Sequence, residues 1–153
     1  MAMSPRDPAM AKQLGWLSLT PNEFNAPGQW RSASGENAYG NTHAWYNSAD
    51  YDLAPDEALV IEATPPKCHY WNFQLGNIWA ESLDYTFRQV HINNGSAKMR
   101  EDGSFRLVVA HEDPGTDNWM DTAGHDHGTM CVRWVRADSH PEPMCRVVKL
   151  SDL

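Results

Sequence analysis

From about Tyr39 to Leu150 the chain is a succession of short apolar and β-branched runs, each cut off by Gly, Pro, Asn or Asp. Few folds accept that pattern. Glu57–Ala63 reads EALVIEA and stops at Thr64-Pro65-Pro66. In His69–Leu75 the side chains alternate, which puts His69, Trp71, Phe73 and Leu75 on one side of a strand and Tyr70, Asn72 and Gln74 on the other. Tyr85–Ile92 is rich in β-formers and runs into Asn93-Asn94-Gly95, a hairpin-type turn. Ser96–Arg100 and Phe105–Ala110 flank the tight turn Glu101-Asp102-Gly103 and read as a hairpin. Thr129–Arg136, a Pro-rich connection at His140–Pro143 and a closing strand at Cys145–Leu150 complete the series. Short strands at this spacing, with little helix, predict an all-β domain, an antiparallel β-sandwich or jelly roll.

A chain of 153 residues is the size of one domain and can bury a core without disulfide staples. Residues 1–35 read as an N-terminal arm and 36–153 as the sandwich. Pro5, Pro8, Pro21, Pro27 and Gly28 punctuate the arm. A short helix is expected over Pro8–Leu17, with Asp7 as its N-cap. Trp16, Leu17, Leu19, Phe24 and Trp30 are too apolar for a free tail, so they are expected to pack on the body or on another subunit.

Composition excludes several classes. The net charge is −8 and no cluster of Lys and Arg occurs, which argues against nucleic acid and anionic membrane as partners. Three isolated cysteines, Cys68, Cys131 and Cys145, make neither a disulfide framework nor a thiolate zinc site. They read as reduced thiols in a cytoplasmic protein. No apolar run approaches a membrane span, and the N-terminus has no hydrophobic signal core. A Gly-x-Ser-x-Gly elbow, a phosphate loop and a dinucleotide fingerprint are all missing from the sequence.

The chemistry-bearing residues gather between the Phe105–Ala110 and Thr129–Val135 runs, in HEDPGTDNWMDTAGHDHG. Loops held by rigid strands are where binding and catalysis concentrate. His111, Asp113, Asp121 and His125 are candidate acid–base groups. Asp113-Pro114-Gly115 and Asn118-Trp119-Met120-Asp121 read either as turn chemistry or as a recognition surface, with Trp119 as stacking platform and Asn118 beside it. His125 and His127, two apart on an extended segment, would face the same side and could hold a divalent metal with help from His111, Asp113 or Asp121. The other reading gives no cofactor and makes them hydrogen-bonding loop histidines. Arg133 interrupts an apolar strand. It is either a solvated outer-face residue or, if covered, a cation in need of a carboxylate, for which Asp113 or Asp121 would serve. His91 and Asn93 close the Tyr85–Asn93 strand, with Arg88 close by, and could join the same cleft.

The blocks EALVIEATPPKCHYWNFQL at 57–75, YTFRQVHIN at 85–93 and DGSFRLVVAHEDPGTDNWMDTAGHDHGTMCVRW at 102–134 resemble the domain of unknown function 1214 family, a bacterial-type domain. The resemblance spans roughly residues 39–150. It implies a jelly-roll-like sandwich, similar in architecture to carbohydrate-binding and glycan-processing sandwiches, and no assigned reaction. It also implies a module that usually follows a second domain, so a second domain or a homo-oligomer partner is a possible neighbour. Two functions from different classes remain. One is a module that binds a small polar or carbohydrate-like ligand, or a partner chain, through the 111–127 loop. The other is an enzyme using His111, His125, Asp113 and Asp121, with or without a metal. All five of His111, Asp113, Asp121, His125 and Arg133 are expected to converge at one end of the sandwich.

Overall fold

A computed structural model describes residues 20–29 and 41–153. Among the described residues eight strands form two four-stranded sheets. The strands are β1 (Ala44–Asp52), β2 (Glu57–Ala63), β3 (Tyr70–Gly76), β4 (His91–Asn93), β5 (Phe105–Ala110), β6 (Trp119–Asp121), β7 (His127–Val135) and β8 (Met144–Lys149). The first sheet runs β1-β7-β3-β4 and the second β6-β5-β2-β8. Every pairing is antiparallel except β5 with β6. A 3-10 turn at Leu150–Asp152 follows β8. Among the described residues no helix is long and apolar enough to cross a membrane.

The two sheets meet through one side-chain set each, as the two-residue period of a strand requires. The first sheet contributes Ala49, Tyr51, Trp71, Phe73, Leu75, Met130, Val132 and Trp134, and the second Leu59, Ile61, Phe105, Leu107 and Val109. Trp71 stacks on Phe105 with ring centroids 4.6 Å apart. Trp134 is fully buried, and its indole N–H donates to Asn47 Oδ1 at 3.0 Å, so its one polar atom is satisfied inside the core. The register places Trp45, Trp134 and Trp71 on neighbouring strands of one face, and Trp71, Phe73 and Leu75 share the side the alternation predicted, which is the side facing the core.

The second sheet is apolar on both faces. Ala58, Val108 and Ala110 point away from the main core and are fully buried, with Trp119, Val148, Leu150 and Leu153 packed against them. A strand covered on both sides carries a continuous apolar run instead of an alternating one. EALVIEA and FRLVVA are such runs.

Two predicted elements take another form. Residues 85–88 are a turn, because Asp84 accepts the backbone N–H of Thr86 and Phe87 at 3.1 and 3.3 Å and the Arg88 N–H bonds the Asp84 carbonyl at 3.2 Å. A cap in front of the run overrides its β-propensity, and only His91–Asn93 remains a strand. Ser96–Arg100 is not a strand either. Arg100 and Ser104 close the Glu101-Asp102-Gly103 turn, with Gly103 at φ 80°, but the pairing goes no further. Conversely β6 forms where the sequence reads only as loop.

Of the arm, residues 20–29 are described. They run along the free edge of β1, with the Gly28 N–H on the Tyr46 carbonyl and the Tyr46 N–H returned to Gly28, both at 2.8 Å. This shields an edge that would otherwise present unpaired backbone. Phe24 is buried and meets Phe73 edge-on at 5.9 Å, so this part of the arm docks on the body as expected. The predicted helix over Pro8–Leu17, and Trp16, Leu17, Leu19 and Trp30, lie outside the described residues.

Candidate functional site

The segment from His111 to Asp126 is held by its own side chains. Asp113 Oδ1 accepts the Gly115 N–H at 2.8 Å, and Gly115 takes φ 74° to complete that turn. Asn118 sits at φ 56°, a conformation an Asn side chain tolerates through local bonding. Its Oδ1 accepts the Lys98 N–H at 2.7 Å, while its Nδ2 donates to the carbonyls of Lys98 and Arg106 at 2.8 and 3.0 Å. One amide thus ties three chain segments. The Trp119 indole N–H donates to the Ala110 carbonyl at 3.2 Å as its ring packs on the outer cluster.

Past β6 the chain turns at the end of the sandwich. Asp121 is buried, accepts the Ala123 N–H at 2.7 Å and pairs with Arg88 at 2.6 Å. His111 spends both ring nitrogens on structure, one on Thr122 Oγ1 at 2.9 Å and one on the Leu53 carbonyl at 3.2 Å. The His125 N–H returns to the Thr122 carbonyl at 3.1 Å, and its side chain is exposed. Tyr51 points into this end from the core. Burial raises its phenol pKa, and the carboxylates of Asp121 and Asp126 raise it further. A side chain at Gly128 would overlap the Gly76 carbonyl and press on the Tyr51 hydroxyl, so β7 passes here only as glycine.

His111, Asp121 and His125 therefore come together around Thr122. Asp113 stands off beside the neighbouring cleft, and Arg133 does not join them. Arg133 is six residues along β7 from His127, about 20 Å of extended chain. Its partners are neither Asp113 nor Asp121 but the side-chain oxygens of Asn72 and Gln74, each at 3.3 Å, with the Tyr46 ring beneath the guanidinium at 5.6 Å. Asp121 is taken instead by Arg88, which the sequence placed nearby without assigning the pair. His127 starts β7 opposite Asp52 and shares the outer face of the first sheet with Thr129, Cys131 and Arg133. His91 lies on the same face, opposite Gln74. Among the described residues no three His, Cys, Asp or Glu side chains gather in a group that could hold a metal ion.

A recess with a volume near 820 Å³ opens on the other side of the loop. Its walls are the 98–102 turn, Arg106 on β5 and residues 115–118. A smaller recess of about 330 Å³ lies across the same ridge, between Gln89, Ser96, Asp113 and Trp119, and shares Thr116 and Asn118 with the first. Most polar groups of the larger recess are already paired. Lys98 binds Asp117 at 3.0 Å, Arg100 binds Glu62 at 2.6 Å, and Asp102 is occupied by Ser104. Arg106 is different. Glu62 is its cross-strand neighbour but is taken by Arg100, which leaves Arg106 without an ion-pair partner among the described residues. Its Nε and the Thr116 hydroxyl are both buried without a hydrogen-bond partner there. Arg106 was missed in the sequence. Its signal was a lone cation in an apolar strand, the same signal that singled out Arg133.

The cysteines are free thiols. Burial pushes the Cys145 thiol up to about 12 and raises those of Cys131 and Cys68.

No family model matches the sequence, and no curated protein matches it. An uncharacterized protein from Burkholderia cenocepacia, solved by crystallography, is 39% identical and superimposes with a TM-score of 0.80, over 94% of this chain and 38% of its own. The VPA0106 protein from Vibrio parahaemolyticus is 17% identical with a TM-score of 0.59, over 72% of this chain and 32% of its own. The first is similar in sequence and fold, the second in fold alone. This chain spans less than two fifths of the length of either.

Proposed function

We propose that this sandwich is a binding module for a small polar, carbohydrate-like ligand, seated in the recess between the 98–102 turn and the 115–118 ridge. The observation that carries the reading is Arg106. A partly buried guanidinium with no carboxylate is held at an energetic disadvantage unless something else supplies acceptors. The unpartnered Thr116 hydroxyl in the same recess adds a second hydrogen-bonding group. The recess volume falls within the usual range of small-molecule sites, about 300–1,000 Å³. The staples at Asp113, Asn118 and Trp119 support the same reading, because a wall fixed in advance binds without an ordering penalty. In this proposal the 111–127 loop serves as a rigid wall, and most of its polar residues do not touch ligand.

The acid–base alternative has less support. Both nitrogens of His111 are engaged by Thr122 and Leu53, and Asp121 is engaged by Arg88 and Ala123.

The test is an amide-shift titration of the isotopically labelled chain with neutral and acidic mono- and disaccharides. Saturable shifts at Lys98, Arg106 and Thr116–Asn118, lost in Arg106→Gln, are expected. A full sugar panel that leaves those amides unmoved would count against the proposal.

A further inference from the structure

The outer face of the first sheet carries a second group of polar side chains, on the opposite side of the sandwich from Arg106. Asn72 and Gln74 of β3 line a cavity of about 240 Å³ together with Ser82, Tyr85 and His91. The same two amides hold Arg133. A smaller hollow of about 80 Å³ adjoins it, sharing Gln74 and bordered by Arg133, Ser48 and Thr129. Arg133 lines the smaller hollow, and the two amides that hold it, Asn72 and Gln74, line the larger cavity beside it.

Three features of this place point to one chemistry. First, Arg133 has no ion-pair partner among the described residues. Its bonds to Asn72 and Gln74 are long, both come from one nitrogen, and both go to neutral oxygens. A guanidinium has five N–H donors in a fork that matches a carboxylate two to two, so most of its capacity is free. Strand positions and the Tyr46 ring hold it in place beforehand. Second, the Tyr85 ring is 68% exposed at the rim, where an apolar ring face would normally be covered. An exposed aromatic face beside hydrogen-bonding amides suits a sugar ring, whose C–H face stacks while its hydroxyls bond. Third, the cavity is smaller than a drug-sized site and suits a single ring.

We infer that this face is a second binding site, for a monosaccharide that bears a carboxylate, with the carboxylate on Arg133, the ring on Tyr85 and hydroxyls on Gln74, Asn72 and His91. The site is independent of the Arg106 recess and stands or falls separately from it.

The experiment uses the full labelled chain and three probes: D-galacturonate, D-galactose and acetate. Galacturonate is expected to shift the amides of Asn72, Gln74 and His91 and to saturate, with galactose and acetate each weaker by about tenfold or more. Arg133→Gln should reduce galacturonate to the galactose level. Tyr85→Ala, at an exposed position that leaves the fold intact, should weaken both sugars and leave acetate unchanged. Arg106→Gln should have no effect on these shifts. The inference is overturned if galacturonate moves none of these amides, if acetate binds as well as galacturonate, if Arg133→Gln binds unchanged, or if Arg106→Gln removes the response.

Discussion

The loop after β5 and the outer face of the first sheet are both rich in polar side chains, yet they treat them oppositely. In the loop four central polar side chains close on their own neighbourhood: Asp113 on Gly115, Asn118 on Lys98 and Arg106, His111 on Thr122 and Leu53, Asp121 on Arg88 and Ala123. On the sheet face a fixed cation is met only by neutral oxygens and a ring. On the second sheet Arg106 likewise has no carboxylate partner among the described residues, and its Nε has no hydrogen-bond partner there. A region whose hydrogen bonds are internally complete is built for stability. One whose donors are oriented but incompletely used is built to meet something else. Substitutions in the first region should therefore be costly to the fold, and substitutions in the second should be costly only to binding.

The largest effect is expected at Asn118. Asn118→Ala removes three hydrogen bonds, leaves the backbone of Lys98 and Arg106 short of partners, and puts alanine at φ 56°. At ~1 kcal/mol per bond plus ~1 kcal/mol for the left-handed backbone, the loss is about 3–4 kcal/mol. Asn118→Gly should recover only the backbone share. Chemical denaturation of the three proteins measures the difference, and an Asn118→Ala variant as stable as the parent would break the contrast between the two regions.

Asp121 comes next. Asp121→Ala leaves the Ala123 N–H without its acceptor and Arg88 without its carboxylate. Arg88 is about half exposed, so water replaces much of what it loses, and the expected cost is about 1–2 kcal/mol. Asp121→Asn keeps an acceptor for Ala123 and should fall between the two. A thermal melt separates them at about 2–4 °C per kcal/mol for a chain of this size.

The thiols offer a smaller, kinetic test of the same contrast. Cys131 belongs to the sheet face but is partly buried beside Ser48, and Cys145 is held up near 12. Because a thiol reacts as its thiolate, both should label slowly with a thiol reagent at neutral pH and accelerate as pH rises. Rapid stoichiometric labelling of all three cysteines in the folded protein would show that the face is more open than its geometry implies.

These comparisons also explain which parts of the molecule were legible in its sequence. The sandwich was, because apolar runs and Gly/Pro/Asx breaks are local signals, and β2 and β5 lie at their predicted bounds. The role of the loop was not. Asp, Asn and Gly appear in self-closing turns and in ligand sites for the same reason, their capacity to bond backbone, so composition could not separate a staple from a contact. Arg133 stood out as a residue, but its partners lie 59 and 61 positions away on a strand that only the fold brings alongside. The turn at residues 85–88 was hidden by its own β-forming composition, with the deciding residue, Asp84, one place before the run.

The smallest effect is expected where the binding argument is strongest. Arg133→Gln and Arg106→Gln should each change stability by no more than about 0.5–1 kcal/mol in either direction. Neither cation has a carboxylate among the described residues, so neutralising it leaves no stranded partner charge. It also removes the penalty of holding a partly buried guanidinium away from water. What Arg133 would lose is two long bonds to neutral amides and a ring contact, groups a glutamine can still reach in part. Melting curves of both variants beside Asn118→Ala place the two regions on one scale. If either arginine variant falls by as much as Asn118→Ala, that arginine is a structural staple after all, and the functional reading of its face must be given up.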